Sequence, residues 1–170
     1  MTSRENAASY LEQVLKLPRT HEQVIPADYL DFNGHMNVMY YTHVGNMGIR
    51  TFMENVGIVW ERFKSGERGS FALRQVISYL NELREGERVA LHTGLANYDN
   101  KRLHFVHYIV SLDKNQIASV DERLAIYIDM STRRTTSFEP DVLGNLAKAK
   151  AYFDSLGWQP ELSGAIKLKE

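Results

Sequence analysis

The sequence predicts an α+β fold in which a long antiparallel sheet packs against one central helix. Four runs, Phe71–Leu83, Arg88–Tyr98, Arg102–Leu112 and Gln116–Ile128, have the two-residue period of strands. They are joined by the polar turns at 84–87, 99–101 and 113–115, too short for anything but antiparallel neighbours. Ahead of them, Tyr40, Val44, Met47, Gly48, Thr51, Phe52, Asn55 and Val56 fall on the i, i+4, i+7, i+8 rows of a helix. The lengths agree: such strands run ~35–40 Å, and a helix from Asn37 to Val56 spans ~30 Å.

Taken in order, Ala7–Leu17 reads as a short amphipathic helix ended by Pro18, and His21–Ile25 as a first strand stopped at Pro26. Asp31, Asn33 and Gly34 form a turn. Asn37 is placed to cap the central helix, leaving the amides of Val38, Met39 and Tyr40 in its first turn. Gly45 and Gly48 weaken that helix and are expected where it packs closely against a backbone; Gly57 is its C-terminal stop. Trp60–Ser70 reads as a loop with one further helical turn, with Trp60 and Phe63 as candidates for a pocket wall. In the last strand Ala118, Val120, Leu124, Ile126 and Ile128 share the face expected to meet the helix, and Ser119, Asp121 and Arg123 share the other. Leu103–Leu112 is apolar on both faces, so it belongs inside the sheet with its second side covered. Glu139–Leu156 reads as a final helix with Pro140 at its first position and Gly157 at its end; Trp158–Glu170 is expected to be a loose tail.

The 170 residues suit one domain, 1–170, with a sizeable core. Net charge is −1 and no Lys/Arg run occurs, which argues against nucleic acid. Zero cysteines exclude a disulfide scaffold and a thiolate nucleophile. The polar N-terminus lacks a signal-peptide core and no apolar run could cross a bilayer, so a cytoplasmic protein is expected. His104 and His107 lie three apart in a strand and so face opposite ways; no metal is expected. No nucleophile elbow and no nucleotide-binding glycine loop is present.

The stretch with chemical content is Asp31–Val56. A carboxylate stands a short loop from free N–H donors at the positive end of a helix dipole, an arrangement suited to attack on a carbonyl. The string Asp31-x-x-Gly34-His35-x-Asn37, followed by Tyr40-Tyr41, resembles the hotdog-fold acyl-CoA thioesterases of the 4-hydroxybenzoyl-CoA thioesterase type. The resemblance covers roughly His21 to Thr136, leaving helices 7–17 and 139–156 as additions, and includes Asp129 followed by Thr132, Arg133 and Arg134. It implies a sheet wrapped around one helix and hydrolysis of an acyl-CoA to free acid and CoA. Asp31 is then nucleophile or general base, and the Val38 N–H polarises the thioester carbonyl. Gly34, His35 and Asn37 follow the motif, and Tyr41 lines the acyl pocket. Arg133 and Arg134 suit the CoA phosphates. A homodimer or dimer of dimers is implied, with no cofactor beyond the CoA of the substrate. Glu54, ~25 Å along the helix from Asn37, is too distant to share a substrate with Val38 and reads as a solvated or paired charge. Two alternatives stay open: a hotdog dehydratase or hydratase, and a non-catalytic acyl-CoA binding module.

Overall fold

A computed structural model describes residues 8–158 and 162–168. Helix α1 (Leu11–Val14) leads into β1 (Arg19–Val24) and a single 3-10 turn at Ala27–Tyr29. The central helix follows as α2 (Val38–Met47) and α3 (Ile49–Asn55), then the short α4 (Glu61–Lys64). Strands β2 (Arg68–Tyr79), β3 (Arg88–Tyr98), β4 (Arg102–Ser111), β5 (Gln116–Asp129) and β6 (Arg134–Thr135) precede α5 (Pro140–Ser155). The sheet runs β1-β3-β4-β5-β2, all pairs antiparallel, with β6 on the end of β5. No helix among the described residues is long and apolar enough to cross a membrane.

Strand β3 has the expected bounds. Strand β4 ends one residue early, β5 runs one residue longer, and the expected order of elements holds. Strand β2 is shifted: it starts at Arg68, inside the expected loop, because Arg68 pairs with Asp129. It ends at Tyr79 rather than Leu83. There the amides of Leu80 and Asn81 both donate to the Ala118 carbonyl and the Asn81 side chain donates to the Ile117 carbonyl at 2.7 Å, turning the chain out of the sheet. Ala7 of the expected first helix lies outside the described residues; Ala8 and Ser9 are helical, the helix is interrupted at Tyr10 and α1 continues it over Leu11–Val14, after which a tight turn buries Leu17 against Gly94.

The central helix is not continuous. It breaks at Gly48 (φ −88°, ψ −6°), and the buried row is Tyr41, Val44, Gly45, Gly48, Phe52 and Val56. Met47, expected inside, is 50% exposed. The glycines admit side chains of the sheet, not backbone. A Cβ on Gly48 would lie 2.4 Å from Leu91 Cδ2, and one on Gly45 would lie 2.5 Å from Arg123 Nη2.

At Asp121 and Arg123 the faces of β5 are the reverse of expectation, whereas Ala118, opposite the irregularity between Ile109 and Val110, keeps the expected helix side in a cluster with Tyr41 and Val44. Asp121 and Arg123 point at α2, across from His107 and Phe105 of β4, and Phe105 meets Phe52 of α3 at 4.7 Å between ring centres. Burial pushes the Asp121 carboxyl up, against the pull of the Arg123 guanidinium. The outer face bears Val106, Tyr108 and Val120, and the chain covers it itself. Tyr10 and Trp158 lie against Tyr108, and Phe153 of α5 closes the layer. The tail is not loose where it is described. Ser163 N–H donates to Glu122 Oε2 at 2.7 Å, Arg74 donates to the Ala165 carbonyl, and Ile166 is buried. His104 and His107 face opposite sides, the first bonded to Glu122 and the second to Thr93.

Helix α5 starts at Pro140, with Val142, Leu146 and Phe153 buried as its pattern requires. Its first turn is fastened by Glu139, which accepts from Arg68 Nε at 2.9 Å and from Tyr127 OH at 3.1 Å and pairs with Arg62. Burial, with Glu139 second, pushes the Tyr127 phenol up to about 12.

Candidate active site

Residues Leu30–Met36 form a small hairpin. Gly34 N–H donates to the Asp31 carbonyl and Asp31 N–H to the His35 carbonyl, with Gly34 at φ +77°, where a side chain would be strained. Met36 is buried and donates its amide to the Leu83 carbonyl at 2.7 Å, so the hairpin is pinned to the segment that follows β2. Asn37 N–H then donates to the Tyr29 carbonyl, and Asn37 Oδ1 caps the helix by accepting from Met39 N–H at 3.0 Å. Val38, the first residue of α2, has no acceptor for its amide among the described residues. Its N–H stands where the helix dipole is positive.

Val38 borders an open cleft of about 430 Å³, solvent included, lined by His35, Met36, Val38, Tyr41, Tyr79, Leu80, Asn81 and Glu82. Asp31 adjoins His35, with Oδ1 3.8 Å from Nδ1 of the ring. Its carboxylate accepts the Asn33 amide at 2.8 Å, an Asx turn that aims it and leaves Oδ2 without a partner among the described residues. Tyr41 is buried, edge-on to Tyr79 at 5.1 Å, and its hydroxyl donates to the Asn81 carbonyl at 3.3 Å. Burial pushes that phenol up to about 12, so it stays a neutral donor.

The structure therefore brings His35, Val38 and Tyr41 together, with Asp31 adjoining, Asn37 as the cap and Gly34 as the turn. It does not bring Arg133 and Arg134 to them within one chain. Arg133 lies over the Phe71 ring at 5.5 Å and Arg134 pairs with Asp129, beside Arg68. The cleft lies at the Tyr79 end of the twelve-residue β2, ~36 Å along the strand. Glu54 pairs with Arg50 at 3.0 Å. Trp60 and Phe63 stack on one another at 5.4 Å, and Phe63 packs against the core beside Tyr127. Sequence reasoning missed the cleft wall from Tyr79 to Glu82. A signal existed: Asn and Glu at 81 and 82 are poor strand residues inside the expected strand.

A family model for the thioesterase-like superfamily matches residues 24–146. The chain belongs to that superfamily. Thioester hydrolysis is its class of reaction, and the fold is the hotdog arrangement implied by the motif. A betainyl-CoA thioesterase of Pseudomonas aeruginosa is 27% identical over 134 residues, covering 78% of this chain and 84% of that protein. Among solved structures, a Staphylococcus aureus protein in complex with CoA is similar with a TM-score of 0.72 and 22% identity, over 91% of this chain and 96% of that one. The DHNA-CoA thioesterase of Staphylococcus aureus has a TM-score of 0.72 and 16% identity, over 79% of this chain and 92% of its own.

Proposed function

We propose that the cleft at the start of α2 hydrolyses an acyl-CoA, with the Val38 N–H holding the thioester oxygen and Asp31 supplying the base. The observation that carries this is that Val38, whose amide has no partner among the described residues, lines a cleft whose adjoining hairpin holds the Asp31 carboxylate. A preorganised donor of this kind contributes ~10²–10³ in turnover. Asp31 adjoins His35 but is not itself among the residues lining the cleft, which favours the water route. The carboxylate takes a proton from water, the hydroxide attacks the carbonyl carbon, and the tetrahedral intermediate collapses with loss of the CoA thiolate, which then takes up a proton. Direct attack by Asp31 through an anhydride yields the same products.

A second copy completes the site in this reading. Among the described residues strand β2 is a free edge, with exposed Leu73 and Tyr79, and α2 beside it exposes Met39 and Met47. An unpaired edge of this length invites another strand. A two-fold pairing of β2 with β2 is antiparallel, so the Arg68 end of one copy meets the Tyr79 end of the other. Arg133 and Arg134 of the second copy then approach this cleft, where guanidinium groups suit the CoA phosphates.

The Pseudomonas relative is named for betainyl-CoA. The ring faces of Tyr41 and Tyr79 and the Glu82 carboxylate are groups suited to a quaternary ammonium, so a betaine-like acyl group heads the panel to be tested. The test is release of free thiol from betainyl-, acetyl-, long-chain and aromatic acyl-CoAs, by the parent protein and by Asp31→Asn. Release by the parent and a fall of ~10²–10⁴ in the folded variant are expected. Equal release by both removes Asp31 from the mechanism. Binding without release across the panel supports the binding-module alternative.

A further inference from the structure

Arg123 is 8% exposed and reaches from β5 to the underside of α2. Its Nε donates to Asp121 Oδ2 at 2.8 Å, and Nη2 lies 2.6 Å from the same oxygen. Its Nη1 donates to Asn46 Oδ1 at 2.6 Å, and Nη2 donates to the Thr42 carbonyl at 3.3 Å. Asp121 in turn accepts from Gln75 Nε2 at 3.0 Å on both oxygens, and that nitrogen lies 3.4 Å from Thr42 Oγ1. One guanidinium thus ties α2 to β5 at Thr42 and Asn46, which lie one and two turns beyond Val38, and the Asp121 carboxylate extends the tie to Gln75 of β2. Gly45, between them, is the residue whose missing Cβ leaves room for it.

Such a buried pair is weak evidence for stability, since apolar groups of similar volume often hold a core as well or better. What a planar fork with fixed donor directions adds is geometry. Apolar contacts resist separation of two elements but resist sliding poorly. A guanidinium bonded to a carbonyl and an amide oxygen of one helix fixes both its rotation and its position along the sheet.

We propose that Arg123 is a positioning residue for hydrolysis: it sets the register of α2 on the sheet, and through it the direction of the Val38 N–H into the cleft. The inference rests on the reading of that cleft given above, and its test separates the two. Asn46 is exposed, so Asn46→Ala removes one anchor without hollowing the core. Arg123→Met keeps bulk and removes every donor, and Arg123→Lys keeps the charge without the fork. The readouts are thermal midpoint, kcat and KM for betainyl-CoA and acetyl-CoA, and amide hydrogen exchange along α2 and α3.

For Arg123→Met and Arg123→Lys we expect kcat to fall about tenfold or more, with KM within about twofold, as a small misplacement of a catalytic donor does. Asn46→Ala should show the same pattern to a smaller degree. Exchange should quicken across Tyr41–Met47 and stay at parent rates in Ile49–Asn55. Parent-like kcat in a folded Arg123→Met overturns the proposal, as does exchange that quickens equally in both halves. If the parent hydrolyses neither thioester, hydrolysis of these substrates is the reading that fails. The exchange pattern still decides the clamp: selective quickening in α2 supports it and parent rates overturn it.

Discussion

The two halves of the central helix rest on different seats. Helix α3 lies on hydrocarbon: Phe52 against Phe105, with Met53 and Val56 in the same cluster. Helix α2 has its own apolar contacts, Tyr41 and Val44 with Leu83, Leu91 and Ile109, but beside them it meets the row of Gln75, Asp121 and Arg123. The break at Gly48 separates the halves. The apolar seat is non-directional and stabilises in proportion to the area it removes from water. The polar seat is directional, and it lies under the half that carries the Val38 amide. Stability and register are thus assigned to different ends of one helix.

The comparison breaks most visibly at Phe52. Phe52→Ala should cost ~3–5 kcal/mol of stability, with turnover per folded molecule close to that of the parent; chemical denaturation paired with active-site-normalised kcat checks both. At Gly45 the signs oppose. Intrinsic propensity says that Gly45→Ala gains up to ~1 kcal/mol in a helix. The new Cβ, 2.5 Å from Arg123 Nη2, should remove that gain and lower kcat instead. A stabilised, fully active Gly45→Ala would abolish the distinction between the seats.

Tyr41 sharpens it at smaller scale. Tyr41→Phe loses the bond to the Asn81 carbonyl, worth ~0.5–1.5 kcal/mol. Its pH dependence has a definite sign. Burial pushes the folded phenol up to about 12, against an ordinary value of 10.0. Its contribution is therefore complete below pH 10 and is lost as pH rises toward 12. Denaturation midpoints across that window should fall less steeply for Tyr41→Phe than for the parent, the remainder belonging in part to Tyr127.

Much of this molecule could be read from local chemistry. The turn at Asp31, Asn33 and Gly34 and the cap at Asn37 are decided within a few residues, and the structure has both. Strand β3 lies between two polar turns and needed no distant information. What escaped the sequence is what depends on distant partners. Asp121 and Arg123 read as the face turned away from the helix because charged side chains seldom point inward, and only the pairing with Gln75, Thr42 and Asn46 makes that orientation affordable. The close packing at Gly48 is against Leu91 and Thr20, which are far away in the chain. Tyr79–Glu82 became a cleft wall because Ala118 and Ile117 draw that segment out of the sheet.

The most direct test of the account is Val38→Pro. Proline is well tolerated at the first position of a helix, and Asn37 before it already has the extended backbone that a following proline requires (φ −63°, ψ 142°). The substitution removes one N–H and little else, since the Val38 side chain is 58% exposed. If that amide holds the thioester oxygen, kcat for acyl-CoA hydrolysis should fall by ~10²–10³ while the thermal midpoint stays near that of the parent. A folded Val38→Pro with the kcat of the parent would contradict the account.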